Sequence, residues 1–244
     1  MNTGEVKDYI REHFGRVGIP TTMVDLYLSA GRTKIEQTGN YWWMAVGNPA
    51  TWNLTIDDGD YTIASSGGDI TITNFKDVRA LHYKLSTATQ WEPISLGPET
   101  KPELDLMYAD GTDGPPERAV IEDSTLYIYQ QDPQAAYNMR MYFYRYTSML
   151  GNTETDTLTR EFPLALIYSA LQQGYEMELK DLAGASYWSK LLGGEPFGSG
   201  GQVVVMRREN LKRGWHDKIE LVPKVGPDQW NVRRRLDNLK LYMR

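Results

Sequence analysis

The longest helical pattern in the chain is EFPLALIYSALQQGYEMELKDLAGASYWSKLL, residues 161–192. Its apolar residues recur in steps of three and four, which is the spacing of one helix face. A second apolar row lies beside the first, as on a helix packed in a bundle. Pro163 suits a first turn, and the Gly-Gly pair at 193–194 suits an end. The pattern predicts one helix of about 45 Å, with bends allowed at Gly174 and Gly184.

Composition excludes several classes of protein. The chain has no cysteine, which excludes disulfides, thiolate chemistry and cysteine-ligated zinc. The N-terminus is charged and lacks the apolar core of a signal peptide, and no apolar run approaches the length that spans a bilayer. The 41% apolar content is ordinary for a globular protein. We therefore expect a soluble protein that is made and used without export.

Charge is unevenly distributed along the 244 residues. Residues 1–201 carry a net charge of −12 and residues 202–244 a net charge of +6, with 11 Lys and Arg against 5 Asp and Glu. An acidic body with a basic C-terminal segment indicates an acidic partner for that segment, either protein or nucleic acid. The alternative is that the basic segment folds back on its own acidic body.

The N-terminal section, residues 1–50, is predicted to be helical. Asn2 and Glu5 have the spacing of a capping box, in which each side chain binds the backbone of the other residue. Thr21 or Thr22 is expected to cap a second helix.

A β domain over residues 51–147 follows, because apolar and polar residues alternate there with a period of two. The pairs Asp58-Gly59 and Gly67-Gly68 predict hairpin turns, which favour a mainly antiparallel sheet. A short helix is expected within this section, starting near Thr100 with Pro102 in its first turn.

Residues 148–214 are predicted to form a C-terminal helical section that packs on residues 1–50. Residues 202–214 fit a helix or a strand, and we favour a helix. Residues 215–244 are predicted to be an extended basic tail. The predicted fold class is therefore α+β: a helical bundle of N-terminal helices and the long C-terminal helix, with an inserted, mainly antiparallel β domain and an extended C-terminal tail.

The sequence contains no recognisable catalytic motif. The three histidines, His13, His82 and His216, fall in different sections and form no closely spaced pair. The glycine-rich segment GGEPFGSGG lacks the Lys-Ser/Thr of a phosphate-binding loop. Two aspartate groups have oxygen ligands for a cation but not the EF-hand spacing; they are Asp57, Asp58 and Asp60, and Asp110 and Asp113. We expect no catalytic residues, no cofactor and no metal.

The basic tail interleaves arginines with aromatic and apolar residues. Such a composition suits a segment that docks into a protein groove better than an arm that binds DNA. The residues predicted to contact a partner are Trp230, Arg233, Arg234, Arg235, Leu236, Leu239 and Tyr242.

The order of these segments resembles the head-to-tail adaptor (connector) proteins of short-tailed bacteriophages. Four features contribute to the resemblance. They are the amphipathic helices ending in the aromatic cluster YWW, the strand MRMYFYRY with a polar loop after it, the proline-started helix with Lys180-Asp181, Ala185 and Trp188, and the basic segment RRENLKRG.

The resemblance implies a structural virion protein, assembled in the cytoplasm of the bacterial host. It would form a ring, typically of twelve copies, beneath the portal protein, and would connect the head to the tail nozzle and fibres. DNA would pass through the channel without specific binding, because an acidic body repels phosphate, and no membrane would be involved. The basic tail would contact the portal. The apolar helix face would pack within the bundle or against the next subunit; its members are Leu164, Tyr168, Leu171, Tyr175, Leu179 and Trp188.

Two other functions remain open from the sequence. The first is a carbohydrate- or receptor-binding tail module, in which Trp52, Tyr83, Trp91 and Tyr108 would form a stacking platform on the β domain. The second is a tail-associated hydrolase, which requires a pair of carboxylates that sequence alone does not identify.

Overall fold

The computed structural model describes residues 1–54, 59–108, 114–129, 136–148, 151–193 and 201–214. The helices in these ranges are α1 (Thr3–Val17), α2 (Val24–Gln37), α3 (Lys101–Met107), α4 (Thr157–Glu161), α5 (Pro163–Gly174), α6 (Leu182–Leu192) and α7 (Gln202–Lys212). The strands are β1 (Ala50–Asn53), β2 (Asp60–Ala64), β3 (Ile70–Thr71), β4 (Phe75–Leu85), β5 (Glu92–Leu96), β6 (Arg118–Glu122), β7 (Thr125–Tyr129) and β8 (Tyr137–Arg145).

The helices of both ends of the chain share one hydrophobic core. Within it α2 crosses α5 closely, and a Cβ on Gly31 would lie 3.0 Å from the backbone nitrogen of Ala170. Ser169 donates a hydrogen bond from Oγ to the carbonyl oxygen of Gly31 at 3.0 Å. A side chain at position 31 would press on the backbone of α5, so glycine favours this approach. The largest fully buried side chains of this core are Phe14, Tyr27, Tyr41, Ile10, Leu28, Ile35 and Met44.

The prediction of one long helix over residues 161–192 is wrong. The chain forms α4, α5 and α6 there, and α5 continues into a π-helical turn, Tyr175–Leu179. Lys180 then adopts a left-handed conformation with φ 51°, which ends the helix. Asp181 caps α6 by accepting hydrogen bonds from the backbone of Ala183 at 3.1 Å and Gly184 at 3.0 Å. Both helices still contribute to the same core, Leu171 before the break and Leu192 after it.

The strands form one sheet in the order β1-β8-β4-β5-β6-β7-β2-β3. The pairs β5–β6 and β2–β3 are parallel, and the other pairs are antiparallel. The two end strands, β1 and β3, lie close to each other, so that the sheet is nearly closed and barrel-like. A second hydrophobic core fills its interior, with Met139 and Met141 of β8 fully buried.

The predicted fold class is therefore wrong in its architecture, although the chain is α+β overall. Eight strands in a mixed, nearly closed sheet form a major part of the molecule rather than a mainly antiparallel insertion in a helical bundle. The alternation of apolar residues specifies which side chains face inward, but not which strand lies next to which. The predicted extended tail, residues 215–244, lies outside the described residues.

The hairpin predicted at Gly67-Gly68 is also wrong. This pair connects β2 to β3, and those strands pair in parallel through Ile63–Ile70 and Ala64–Thr71. The other predicted turn includes Asp58, which lies outside the described residues.

Three local predictions are confirmed, and one is not. The capping box of Asn2 and Glu5 is present, as is the short helix that starts after Thr100 with Pro102 in its first turn. Residues 202–214 contain the helix α7. The second helix is not capped by a threonine: a 3-10 turn, Thr21–Met23, precedes α2, and no side chain caps α2.

A buried polar network joins the helical section to the sheet. Arg32 of α2 forms an ion pair with Asp156 and donates a hydrogen bond to the carbonyl oxygen of Ser148 at 2.6 Å. One turn later, Glu36 accepts hydrogen bonds from the backbone nitrogen of Thr147, at 3.0 Å, and from its hydroxyl group. Lys76 of β4 donates to the carbonyl oxygen of Glu36. These contacts fix α2 against the segment that leaves β8.

Candidate interaction surface

The turn between α5 and α6 exposes large apolar side chains. Every residue from 176 to 183 is exposed, and we call this segment the tip. Met177 is 58% exposed and Leu182 is 74% exposed. Leu179 and, on the first turns of α6, Tyr187 are exposed as well. Several exposed apolar side chains of this size within one short segment are typical of a surface that binds another macromolecule.

The tip is acidic and is attached to the body by specific contacts. It contains Glu176, Glu178 and Asp181 against one cation, Lys180. Tyr27 of α2 donates a hydrogen bond from its hydroxyl to Glu178 at 2.6 Å. Burial, followed by this hydrogen bond, raises the pKa of Tyr27 to about 12, so that the phenol stays protonated as a donor.

The start of α6 packs tightly on the turn that precedes it. A Cβ on Gly184 would lie 2.3 Å from Cδ1 of Tyr175, so a side chain at position 184 would displace that ring. Together with the Asp181 cap, this approach sets the direction in which α6 leaves the tip. The backbone that carries the exposed side chains of the tip is therefore held in one conformation.

A half-buried aromatic cluster supports the base of the tip. The Nε2 atom of His13 lies 3.2 Å from the hydroxyl of Tyr175, and its ring packs edge-on against Trp188 with centroids 5.3 Å apart. The ring of Tyr168 also packs against Trp188, with centroids 5.7 Å apart. Burial and then the nearby charge of Arg16 lower the pKa of His13, which favours the neutral ring in the fold.

The six residues predicted to form one bundle or inter-subunit face have three different environments. Leu171 is fully buried in the helical core. Tyr168, Tyr175 and Trp188 are half-buried in the aromatic cluster. Leu164 and Leu179 are exposed, and Leu179 belongs to the tip. Met177, Leu182 and Tyr187 were not among those six residues and are exposed. Leu182 follows Leu179 by three positions, so it shares its helical spacing, and the spacing alone does not show that both are exposed.

The helix α7 presents a second exposed surface, formed by Val205, Arg208, Leu211 and Lys212. Asn210, on the opposite side of the helix, is buried: it accepts a hydrogen bond from the backbone of Trp42 and donates one to the carbonyl oxygen of Asn40, both at 3.0 Å. These two bonds hold α7 on the body. We call the exposed surface the α7 face.

The basic residues of α7 divide between the body and the solvent. Arg207 donates a hydrogen bond to the carbonyl oxygen of Thr38 at 2.6 Å. Arg213 pairs with Glu161 at 2.8 Å and its guanidinium lies 4.2 Å from the ring centroid of Trp42. Arg207 therefore fastens the middle of α7 to the body and Arg213 fastens its end, whereas Arg208 and Lys212 belong to the exposed α7 face.

The seven tail residues predicted to contact a partner lie outside the described residues. They are Trp230, Arg233, Arg234, Arg235, Leu236, Leu239 and Tyr242.

The four aromatic residues of the carbohydrate-binding alternative do not share one surface. Tyr83 is buried in the sheet core, and Trp52 packs on that core, 5.9 Å from Tyr61. Trp91 lies on the outer face, with the guanidinium of Arg140 4.4 Å from its ring centroid.

The fourth ring, Tyr108, follows α3 and stacks on Tyr129 of β7 with centroids 5.5 Å apart. It thus lies on a different part of the sheet from Trp91. A stacking platform made of all four rings does not form.

The described residues contain no group of three or more His, Asp and Glu side chains arranged to hold a metal ion. His13 lies at the helical cluster and His82 on the outer face of the sheet, so the fold does not bring them together. Of the aspartates considered as cation ligands, Asp60 is described in β2. His216 and the others, which are Asp57, Asp58, Asp110 and Asp113, lie outside the described ranges.

A cleft of about 470 Å³ lies where the helices meet the sheet. Its walls include Trp43, Arg145, Thr147 and Asp156. Two of these residues already bind partners in the polar network between the helices and the sheet: Asp156 pairs with Arg32, and Thr147 binds Glu36. The cleft therefore reflects the junction of the two cores more than a reaction centre.

No family model matches the chain, and no curated protein matches it. Within the described ranges, no helix combines the length and apolar character needed to cross a membrane.

Proposed function

We propose that the protein is a head-to-tail adaptor of a short-tailed bacteriophage. In this proposal, a ring of about twelve copies lies beneath the portal protein in the virion. The ring extends the DNA channel and presents a platform for the tail nozzle and fibres. It makes and breaks no covalent bond, so its function consists of binding and geometry.

The tip is the single observation that supports the proposal best. A ring of identical subunits needs two different adhesive patches on each copy, because its contacts are head-to-tail. Burying side chains such as Met177 and Leu182 contributes roughly 1.5–3 kcal/mol each when the burial is complete. In a monomer this free energy would not be gained, and the exposed apolar surface would favour aggregation instead.

Charge supports the passage of DNA without capture. The first 201 residues carry a net charge of −12, which repels the phosphate backbone. The basic segment at the other end of the chain is then available to an acidic surface of the portal. The apolar residues between its arginines provide the buried contacts that a salt-resistant docking needs.

Co-sedimentation with portal rings tests the proposed partner. Removal of residues 227–244 is expected to abolish co-sedimentation, while the far-UV circular dichroism of the body and its thermal unfolding stay unchanged. A full-length variant with Arg233, Arg234 and Arg235 replaced by Ala is expected to bind more weakly and to depend less on salt. Undiminished binding of the truncated chain would refute the role of the tail.

A further inference from the structure

The tip and the α7 face are complementary in charge and alike in apolar character. Residues 176–183 carry a net charge of −2, and α7 carries a net charge of +2. Each surface also exposes aliphatic side chains: Leu182 at the tip is 74% exposed, and Leu211 on α7 is 49% exposed. Apolar centres flanked by opposite charges are the composition expected of two surfaces that bind each other.

The fold holds these two surfaces apart within one chain. The tip follows the C-terminal end of α5, whereas Arg213, at the end of α7, is fixed to Glu161 and Trp42 near the N-terminal end of α5. The 12 residues of α5 separate these positions by about 18 Å at 1.5 Å per residue. The two surfaces therefore meet only between different copies.

The connection through α6 agrees with this separation. Gly201, which precedes α7, packs against Gly193 at the far end of α6, where a Cβ on Gly201 would lie 2.2 Å from the Cα of Gly193. Since α6 has 11 residues, α7 begins about 16 Å from the tip. From there α7 continues to Trp42 and Glu161.

We propose that the tip of one copy docks on the α7 face of the next copy in the ring. Leu182 and Met177 would pack on Val205 and Leu211, and Glu176 would lie near Arg208. Such a contact is heterologous, because it uses different patches on the two partners, and its repetition closes a ring when the rotation between copies allows it. The inference rests on the proposed function and identifies the two sides of its subunit contact.

Disulfide trapping tests this contact, and no other thiol of the chain can crosslink because the natural sequence has no cysteine. Full-length Leu182→Cys and Leu211→Cys are oxidised separately and as a mixture, alone and in the presence of portal rings. We expect a covalent dimer in the mixture only, and a ladder up to the ring size from the double variant. Leu106→Cys, which is 81% exposed on α3, is the matched control and should not crosslink to Leu182→Cys.

A charge exchange provides a second measurement. Arg208→Glu is expected to slow the crosslinking of the mixture by about tenfold at low ionic strength, since like charges then face each other. Glu176→Lys on the partner should restore the rate.

The outcomes separate this inference from the proposed function. A twelve-fold ring without the Leu182–Leu211 crosslink would overturn the inference and leave the adaptor function standing. A crosslink between two Leu182→Cys chains would mean an isologous contact and would also overturn it. Protection of the Leu182→Cys thiol from a thiol reagent in the monomer would mean that the chain's own tail covers the tip, which contradicts the proposal. The absence of any ring under both conditions would refute the proposed function itself.

Discussion

Replacing Arg32 with Met removes the central cation of the joint between the helices and the sheet while nearly preserving side-chain volume. Arg32 is 3% exposed and Glu36 is 1% exposed, so neither is solvated by bulk water. The substitution deletes the ion pair with Asp156 and the 2.6 Å hydrogen bond to the carbonyl oxygen of Ser148. It also removes the nearby positive charge that favours the ionised form of Glu36.

The expected loss of stability is large because one partner of a buried pair is removed. Such changes typically cost about 3–5 kcal/mol, since the remaining charge is left uncompensated. For a chain of this size each 1 kcal/mol lowers Tm by about 2–4 °C, so the expected decrease is on the order of 10 °C.

The pH dependence of this loss identifies its cause. Burial raises the pKa of Glu36 above its ordinary value of 4.5, and Arg32 opposes that rise. Without Arg32 the pKa of Glu36 rises further. A carboxyl group with a raised folded-state pKa contributes stability at low pH that is lost as the pH rises through that pKa. The deficit of Arg32→Met should therefore be largest at neutral pH and shrink toward about pH 5.

Urea unfolding followed by tryptophan fluorescence measures both effects. Arg11→Met is the matched control, because Arg11 lies on the surface of α1 and forms an exposed pair with Asp8 at 2.9 Å. Exposed pairs of this kind contribute about 0–1 kcal/mol. The interpretation would be refuted if Arg32→Met lost no more stability than Arg11→Met, or if its deficit grew on acidification.

Two further predictions concern packing and protonation. Gly31→Val is expected to lower the free energy of unfolding in urea by roughly 1–3 kcal/mol, because the new side chain would enter the α2–α5 crossing. Gly15→Ala is the control, since position 15 faces open space on α1, and it should raise the free energy of unfolding by up to about 1 kcal/mol. Equal effects of the two substitutions would contradict the close crossing. Burial lowers the pKa of His13 and of His82 in the folded protein. As the pH falls below about 6.5, these histidines are protonated in the unfolded chain before they are protonated in the folded protein, so the free energy of unfolding decreases until the pH has passed the lowered pKa values. His13→Gln and His82→Gln should each flatten that decline in thermal unfolding, and an unchanged slope in both would contradict burial of the rings.

Local signals in the sequence predict local structure well. Asn2 with Glu5, and Thr100 with Pro102, mark two helix starts because caps depend only on neighbouring residues. The alternation of apolar residues likewise locates most strands. Each of these features depends on residues within one turn or one strand, so the residues that interact are close together in the sequence.

The sheet topology depends on contacts that are distant in sequence. β1 pairs with β8, so that Trp52 lies beside Met139, nearly ninety positions later. β5 and β6 pair in parallel across α3, although the turn residues favoured an antiparallel sheet. A strand shows the same period-two pattern whichever strand lies beside it and whether the two strands run parallel or antiparallel. The architecture of the sheet was therefore not predictable from the pattern.

The candidate surface was partly predictable. The helix that forms it was located, but its break was not, although Lys180-Asp181 contained the signal: Asp is a strong N-cap residue. With the break in place, Leu171 faces the core while Leu182 faces solvent. Apolar periodicity shows that side chains are buried against something, and only the fold distinguishes the chain's own core from a second copy.

The symmetry of the protein on portal rings, measured from electron micrographs of the two proteins mixed, tests the central claim most directly. We predict a ring with twelve-fold symmetry beneath the portal and a continuous central channel. A protein that remains monomeric and leaves the portal rings undecorated would contradict the proposed function.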